Sequence, residues 1–227
     1  MSPSKNFFSR QLSPDKTRKS HLDFPGEDEA TRAVIVRLIK DYAPNLHILR
    51  ELPARGSQVK AKIPNFNALA RTIPVILLTD LDDDPCGPIS KNNLLGTLAQ
   101  EQDFVINIAV DEVEAWLMAD RDGFARYFGV PVAQMPISVM QKMSGRKALP
   151  EISVPVKSSW LFTHNLMHYS TNTEKKAQVA VSPKDKNSKG KEYNTAVVPF
   201  IQDVWNPEVA RVASDSLNRM IVRLGKL

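Results

Sequence analysis

The sequence contains one cysteine, Cys86, in 227 residues, so the chain cannot form an internal disulfide bond. It also has no apolar signal-peptide core and no run of about 18 apolar residues, which is the length that a membrane span requires. No internal repeat stands out either. We therefore expect a cytoplasmic protein with no membrane partner, whose hydrophobic residues, 42% of the total, form a substantial core.

Positive charge is concentrated in two stretches of the chain. Residues 1–20 carry five Lys or Arg residues against one acid and have no periodic apolar face, which predicts a flexible basic arm. Residues 170–194 carry six lysines among turn-forming residues, which fits either a solvated surface loop or a loop that faces phosphate. The net charge of +5 permits a polyanionic partner. Residues 21–227 are expected to form a single domain.

Between the basic stretches, short apolar runs alternate with amphipathic segments. Runs rich in branched residues predict buried strands, whereas apolar residues spaced three and four apart predict helices. The predicted strands are 46–52, 73–79 and 104–110, and the predicted helices are 29–42, 90–101 with Ser90 as its cap, and 111–129. This alternation predicts an α/β fold in which helices flank a mostly parallel sheet.

The chain from about residue 130 to 227 is expected to add C-terminal helices to this fold. Asn206 followed by Pro207 is typical of a helix start, with a capping residue and then a first-turn proline. The predicted packing stripe of that helix consists of Val209, Ala213, Leu217, Met220, Ile221 and Leu224.

Four aspartates follow the apolar run 73–79 within five positions. Ligands of open α/β sheets bind beyond the carboxyl ends of the strands, which is where Asp80 and Asp82 would lie. Like charges this close repel each other unless water, a basic side chain or a cation intervenes, and Mg²⁺ with its oxygen ligands would compensate them. The alternative is a solvated acidic turn in which one aspartate caps a backbone amide.

A second acidic group, made of Asp111, Glu112 and Glu114, follows the apolar run 104–110. Two adjacent strand ends would bring both acidic groups to one edge of the sheet. The alternative is again structural, because acids in the first turn of a helix stabilise it by about 0.3–1 kcal/mol.

Three stretches of the chain resemble an uncharacterised bacterial family related to the Toprim superfamily, in its branch of overcoming-lysogenization-defect-type nucleases. They are LLTDLDDDPCGP (77–88), INIAVDEVEAWLMADRDGFARYFGV (106–130) and YNTAVVPFIQDVWNPEVARVASDSLNRMIVRL (193–224). The resemblance implies a Toprim-like sheet and a Mg²⁺ or Mn²⁺ cofactor. It assigns metal binding to Asp80 and Asp82, with Glu112 or Glu114 as the additional acid of the nuclease branch.

The first motif of that family departs from the usual pattern in this sequence. Where the family has Glu-Gly after an apolar strand, residues 22–32 read LDFPGEDEATR, with Pro25 in the glutamate position. Either a neighbouring acid serves in acid–base chemistry, with Glu27 preferred to Glu29, or the catalytic acid is missing. An acidic turn at a helix N-terminus is the structural alternative.

The segment between the first two predicted strands offers basic residues that could meet phosphate. Arg55, Lys60 and Lys62 surround Gly56 there, and such contacts to a nucleic-acid backbone are independent of sequence. An ordinary solvated surface is the alternative. His164 and His168 are spaced to share a helix face, but without a nearby cysteine or acid this pattern favours surface or partly buried histidines over a metal site.

Three functions fit these residues. The first is a Mg²⁺-dependent nuclease or nucleotidyl-transfer enzyme acting on nucleic acid, which in its family's context works beside an ATPase partner in bacterial anti-phage defence. The second is a non-catalytic subunit that keeps the fold and binds nucleic acid or the ATPase, which Pro25 favours. The third is a phosphatase of the haloacid-dehalogenase type, because Asp80-Leu81-Asp82 resembles its motif, although that class carries the motif on its first strand.

Overall fold

A parallel sheet with helices on both faces organises the chain in the computed structural model, which describes residues 20–141, 148–182, 184–186 and 189–227. The basic arm predicted for residues 1–20 lies outside the described residues, except for Ser20. The strands are β1 (His21–Pro25), β2 (His47–Leu52), β3 (Val75–Asp80), β4 (Phe104–Ala109), β5 (Ser138–Gln141) and β6 (Leu149–Ile152).

Most of the remaining described chain is helical. The helices before residue 130 are α1 (Glu29–Tyr42), α2 (Ser57–Ala61), α3 (Ile63–Leu69), α4 (Gly87–Leu95), α5 (Val113–Ala119) and α6 (Arg121–Phe128). The later helices are α7 (Ser158–Trp160), α8 (Thr173–Val179), α9 (Tyr193–Pro199), α10 (Pro207–Ala213) and α11 (Asp215–Leu224). π-Helical turns follow α7 at Leu161–Asn165 and α9 at Phe200–Val204, and 3₁₀ turns lie at Val132–Gln134 and Leu166–Tyr169. The predicted α/β fold with additional C-terminal helices is confirmed.

The strands β1 to β4 form one parallel sheet in the order β2-β1-β3-β4. β3 pairs with β4 without a register shift, from Val75 opposite Phe104 to Asp80 opposite Ala109. The prediction that 73–79 and 104–110 are neighbouring parallel strands is therefore confirmed. Because parallel strands point the same way, the segments that follow β1, β3 and β4 leave from one edge of the sheet.

Burial on both faces explains the uninterrupted apolar run of β3. Ile76 and Leu78 belong to the larger hydrophobic core, which also contains residues of α1, α5 and α11. Val75 and Leu77 belong to a smaller core with residues of α2 and α3. Since successive strand side chains point to opposite faces, a strand that is covered on both sides reads as continuously hydrophobic.

The helix predicted for 90–101 has different boundaries in the structure. It begins at Gly87 with Pro88 in its first turn, so Ser90 is a buried helical residue and not the cap. It ends before Gly96, whose φ of 55° is a conformation that glycine adopts without steric cost.

The helix predicted for 111–129 is divided into α5 and α6 at Asp120. The buried Asp120 carboxylate accepts a hydrogen bond from the Gly123 amide at 3.2 Å, which caps α6. It also accepts one from the Asn206 amide at 2.9 Å, so the break between the helices anchors the start of α10. Two helices separated at Asp120 therefore stand where periodicity predicted a single helix, and Asp120 stabilises the starts of both α6 and α10.

The C-terminal part differs from the all-helical prediction in two places. β5 and β6 form an antiparallel pair that the sequence did not reveal. The helix predicted after Asn206 is divided at Ser214, which caps α11, and Val209 is 49% exposed and so lies outside the packing stripe. The members of that stripe on α11, Leu217, Met220, Ile221 and Leu224, are buried as predicted.

A buried polar network joins β6 to α5 and α11. Glu151 accepts hydrogen bonds from the Ser214 hydroxyl at 2.8 Å and the Ser216 amide at 2.5 Å. The Ser216 hydroxyl in turn accepts a hydrogen bond from the Trp116 indole at 2.8 Å. Because every member has a partner, this network can be buried without a large desolvation penalty.

The loop predicted for 170–194 is wrong over 173–179, which form α8, and at 193–194, which begin α9. Asn172 caps α8 by accepting a hydrogen bond from the Lys175 amide at 3.0 Å. Across the ranges that the structure describes, no helix combines the length and apolar character needed to cross a bilayer.

The cap at Asn206 gives a direct stability prediction. Its side chain accepts hydrogen bonds from the Glu208 amide at 3.1 Å and the Val209 amide at 3.4 Å. We expect Asn206→Ala to lower the free energy of unfolding by about 0.5–2 kcal/mol, while Asn206→Asp, which keeps the acceptor, stays close to the parent. Urea unfolding of the three proteins measures this, and equal midpoints for Asn206→Ala and parent would show that the cap is dispensable.

Candidate functional site

Two tight turns bring the acids after β3 and β4 together at the same edge of the sheet. The Leu81 amide donates to the carbonyl oxygens of Ala109 at 2.9 Å and Asp111 at 3.3 Å, which joins the turns. Asp82 and Asp111 have positive φ values of 51° and 66°. Aspartate tolerates this left-handed conformation better than most residues, so the local sequence suits these turns.

Asp80 is the last residue of β3 and lies at the centre of this edge. Its Oδ1 accepts a hydrogen bond from the Val113 amide at 3.0 Å, which places Asp80 against the first residue of α5. The predicted juxtaposition of Asp80 with the acids after β4 is therefore present in the fold.

Glu27 reaches the same edge from the end of β1. After Pro25 ends β1, Gly26 still bridges to Leu78 of β3, and a Cβ there would collide with the Arg32 side chain. The Glu27 carboxylate accepts a hydrogen bond from the Thr79 hydroxyl. Burial raises the pKa of Glu27, and the hydrogen bond from Thr79 and the nearby Lys60 offset this only in part.

Asp28 joins the cluster although the sequence had not singled it out. It caps α1 by accepting a hydrogen bond from the Thr31 amide at 2.8 Å, and its other oxygen lies 2.6 Å from Lys189 Nζ. Burial disfavours its charge, but Lys189 and the Thr31 hydrogen bond outweigh that effect and lower the pKa of Asp28. Glu29, the second choice for a catalytic acid, is exposed in the first turn of α1.

The two glutamates after β4 have different surroundings. Glu112 accepts a hydrogen bond from the Ser159 amide at 2.7 Å, at the start of α7. Glu114 is 2% exposed, and its Oε1 lies 2.7 Å from the Tyr193 hydroxyl and 2.9 Å from Lys189 Nζ. Burial, followed by the charge of Glu114, raises the pKa of Tyr193 well above its ordinary value, so Tyr193 remains a hydrogen-bond donor.

Asp80 is the carboxyl at which burial and repulsion from the neighbouring acids combine. Its pKa is raised well above the ordinary value, first by burial and then by the charges of Glu114, Glu27 and Glu112. The edge therefore has more carboxyl groups than lysines, and nearby positive charge compensates its acids only in part.

The lysines occupy specific positions among the acids. Lys189 bridges Asp28 and Glu114, while Asp82 forms an ion pair with Lys60 and lies 3.8 Å from Lys157 Nζ. Although burial disfavours its charge, Glu114 and Asp28 raise the pKa of Lys189, so it stays cationic. In the part of the chain that the structure describes, no three His, Cys, Asp or Glu side chains are arranged to enclose a metal ion.

The donor set nevertheless suits a hard cation. Carboxylate oxygens are the ligands that Mg²⁺ prefers, and a cation near Asp80 would offset both the burial and the acidic neighbours that raise its pKa. A cation at this edge would compete with the ammonium groups for the same oxygens. The residue types are therefore those that Mg²⁺ or Mn²⁺ prefers, but the described side chains do not enclose an ion as they stand, and metal binding stays a prediction.

The predicted phosphate-contacting residues do not act alike. Lys60 forms an ion pair with Asp82. Lys62 Nζ donates to the Pro53 carbonyl at 2.7 Å, which holds Lys62 against the segment that directly follows β2. Arg55 is exposed. It lies near the sheet edge that carries Glu27, Asp80, Asp82 and Glu112, which we call the acidic edge, because the amide of the adjacent Gly56 donates to the Glu27 carbonyl at 3.0 Å. A role in phosphate binding stays a prediction for all three basic residues.

The two histidines of the 164–168 segment have structural contacts. His164 is buried and stacks on Trp160 with ring centroids 3.5 Å apart, and its Nε2 lies 3.2 Å from the Asp185 carbonyl oxygen. His168 Nε2 lies 3.0 Å from the Val181 carbonyl oxygen. The two rings therefore make separate hydrogen bonds to the backbone of the 181–185 segment.

The sequence did not reveal Asp28, Lys189 and Tyr193 as parts of this site. A signal for Asp28 existed, because an aspartate directly before an amphipathic segment is a preferred cap. Lys189 is separated from Asp28 by 161 positions, and a lysine among many carries no local signal of such a contact.

The acidic edge predicts a pH dependence of stability for the metal-free protein. Burial and the neighbouring Glu112 raise the pKa of Asp111 to about 6, from an ordinary value of 3.8. Between these values the folded state binds more protons than the unfolded chain, so the free energy of unfolding falls as the pH rises. Asp111→Asn keeps an acceptor oxygen for the Ser158 amide while removing the charge.

We expect Asp111→Asn to reduce this loss by about 1–2 kcal/mol, since a tenfold change in proton affinity corresponds to about 1.4 kcal/mol. Urea unfolding in EDTA at pH 4 and pH 7 measures the effect. Asp122→Asn, at an exposed position of α6, is the control and should leave the pH dependence unchanged. If the stability of Asp111→Asn depends on pH as that of the control does, the pKa of Asp111 is not raised in the folded protein.

Comparison with known proteins identifies the family of the chain. No curated protein and no solved structure matches it. Residues 25–155 match the family described as domain of unknown function DUF4276, and this range covers the last residue of β1, all of β2 to β6 and more than half of the 227 residues. All the acids of the edge described above fall within the matched range, whereas Lys189 and Tyr193 lie beyond it. The chain belongs to the DUF4276 family.

Proposed function

We propose that the chain is a Toprim-like, Mg²⁺-dependent hydrolase of phosphodiester bonds in nucleic acid. The observation that carries the proposal is the convergence of carboxylates from three strand ends on one edge, where burial and then the charges of its acidic neighbours raise the pKa of Asp80. Structural caps do not require such an arrangement, because a cap uses one acid for each helix start. Repulsive carboxylates at the carboxyl edge of a parallel sheet are typical of a cation site.

We assign Mg²⁺ binding to Asp80, Asp82 and Glu112, whose side chains would have to draw together around the ion, because the described side chains do not enclose one as they stand. Glu114 is tied to Tyr193 and Lys189, and so we assign it to the support of the site. When bound, Mg²⁺ would polarise a phosphate oxygen and make a water molecule more acidic. The nuclease would fit the defence role beside an ATPase that the Toprim resemblance implies.

Glu27 is the candidate for proton transfer in this proposal. Its raised pKa brings it nearer to neutrality than an exposed glutamate, which favours general acid–base catalysis. The hydrogen bond from Thr79 fixes its orientation toward the edge. It takes the place of the glutamate that Pro25 replaces, two positions further along the chain.

Basic residues around the edge would meet the phosphates of the substrate. Lys60 and Lys157 both lie near Asp82, and Arg55 is exposed on the adjoining loop. Contacts from such side chains go to the backbone, so they would provide affinity without sequence preference.

A non-catalytic role is the second candidate, and the position of Lys189 favours it. The ammonium group of Lys189 neutralises Asp28 and Glu114 from within the fold, which lowers the need for a metal there. In that case the edge would be a structural ion-pair network, and the chain would bind nucleic acid or a partner without cleaving it.

Metal-dependent stability is the first test of the proposed nuclease. Millimolar Mn²⁺ or Mg²⁺ should raise the melting temperature of the parent, because a ligand that binds only the folded state at ten times Kd adds about 1.4 kcal/mol. Asp80→Asn should abolish this gain. Without metal the same variant should be as stable as the parent or more so, since it keeps the acceptor for the Val113 amide and removes repulsion.

Asp83→Asn is the matched control, because Asp83 is exposed in the same loop. It should retain the metal response of the parent. A parent melting temperature that ignores both metals, together with a destabilised metal-free Asp80→Asn, would assign Asp80 to a purely structural role.

Cleavage of a radiolabelled oligonucleotide separates the two candidate functions. The nuclease proposal expects Mn²⁺-dependent cleavage that falls at least 100-fold in Glu27→Gln, while the stabilisation by metal persists, because a positioned acid–base group typically contributes about 10²–10⁴-fold. Glu29→Gln is the control and should cleave like the parent. Binding of the oligonucleotide without cleavage, in the parent itself, would favour the non-catalytic role.

A further inference from the structure

A cavity of about 370 Å³ lies beside the edge strand β4, away from the side chains assigned to the acidic edge. Its walls come from α4, β4 and α11, three elements that are far apart in the sequence. The volume falls in the range of about 300–1,000 Å³ that is usual for small-molecule sites.

Positive charge dominates the polar lining of this cavity. Lys91 of α4 and Arg219 and Arg223 of α11 all contribute to it. Arg219 is paired with Asp215 at 2.7 Å, whereas neither Lys91 nor Arg223 forms an ion pair within the described part of the chain.

The two cations without an acidic partner are held close together. Burial and then the charge of Arg223 lower the pKa of Lys91, and burial and then Arg219 lower the pKa of Arg223. Arg223 is fixed in place, because its Nη1 donates to the Ile106 carbonyl and to Asn107 Oδ1, each at 2.9 Å. Like charges that are partly buried and pre-positioned gain most from a bound anion.

The rest of the lining has a different character. Ile106 and Ile108 of β4 and Leu95 of α4 supply apolar surface, and Asn92 and Gln100 supply amide groups. A simple anion site would have no use for an apolar wall of this extent. An anionic group attached to a flat, partly polar body would contact both parts of the cavity.

A second cavity of about 240 Å³ extends the basic surface along β4. It shares Lys91, Gln100 and Arg223 with the first and adds Lys226. The combined lining therefore offers room beyond one phosphate group.

We propose that this cavity binds a nucleoside phosphate, with Lys91 and Arg223 on the phosphate and the wall of β4 against the base and sugar. The nucleoside phosphate is either a free nucleotide or one nucleotide of a strand that lies along the sheet edge. This proposal stands apart from the proposed nuclease, since it uses none of the acidic residues.

Binding in EDTA tests the proposal without any contribution from a metal. Isothermal titration with AMP, with inorganic phosphate and with an eight-residue oligothymidylate compares the ligand classes. AMP or the oligonucleotide should bind at least tenfold more tightly than inorganic phosphate. Tighter binding of AMP assigns a free nucleotide, and tighter binding of the oligonucleotide assigns a strand.

Charge removal then locates the site. Lys91→Gln should weaken the binding of the preferred ligand at least tenfold, because it removes one of the two cations assigned to the phosphate. The fold should persist, since Lys91 forms no ion pair with the other described residues. Arg223→Gln is a second variant and should also weaken binding, because Arg223 is the other residue assigned to the phosphate. Lys40→Gln, at an exposed position of α1, removes the same charge elsewhere and should stay within twofold of the parent.

Failure of this proposal is distinguishable from failure of the proposed nuclease. Asp80→Asn should leave binding in EDTA intact, whereas it should abolish the metal response. The proposal is overturned if neither AMP nor the oligonucleotide binds, or if inorganic phosphate binds as tightly as AMP and the oligonucleotide. It is also overturned if Lys91→Gln and Lys40→Gln change the affinity for the preferred ligand equally.

Discussion

The unshifted pairing of β3 with β4 determines where the acids of this chain meet. Because Asp80 stands opposite Ala109 at the end of the ladder, the two loops leave the sheet at the same level. The Leu81 amide then binds both Ala109 and Asp111, so the turns are locked to each other and not only to their own strands. A slip of one residue would move Asp80 to the other face of the sheet and separate the two acidic groups.

Partial charge compensation at this edge comes from residues that lie outside the sheet. Lys189, just before α9, serves Asp28 and Glu114, and Lys60 of α2 serves Asp82. These contacts leave Asp80 as the carboxyl that is least compensated. The same arrangement thus explains both why the metal-free fold is tolerable and where a cation would have the largest effect.

The sequence predicted the sheet better than it predicted the site. Apolar runs that are buried on both faces identified β3 and β4, and the acids directly after them were found because strand ends are local features. Helix α1 and the cap at Asn206 were also predicted with the observed boundaries, since their signals lie within a few residues. The cap of α4 was misplaced at Ser90, although Pro88 gave a local signal for an earlier start.

Contacts over long sequence separations were out of reach of the sequence. The division of the 111–129 helix depends on Asp120 binding the distant Asn206 amide, and the role of Lys189 depends on the packing of the segment before α9. The short strands β5 and β6 carry too few residues for a clear alternating pattern.

The bridge from Lys189 to Asp28 also closes a loop of the native chain. The two residues are 161 positions apart, and the entropy lost on closing a loop grows with its length. The ammonium group is covalently tethered to the segment that precedes α9, so it draws that segment to the first turn of α1. A diffusible cation could balance the same charges but would hold no chain in place. If a diffusible cation replaced the Lys189 ammonium group, the charges would still be balanced but the link between the two segments would be lost. Residues 189–192 would then be free of the N-terminal end of α1.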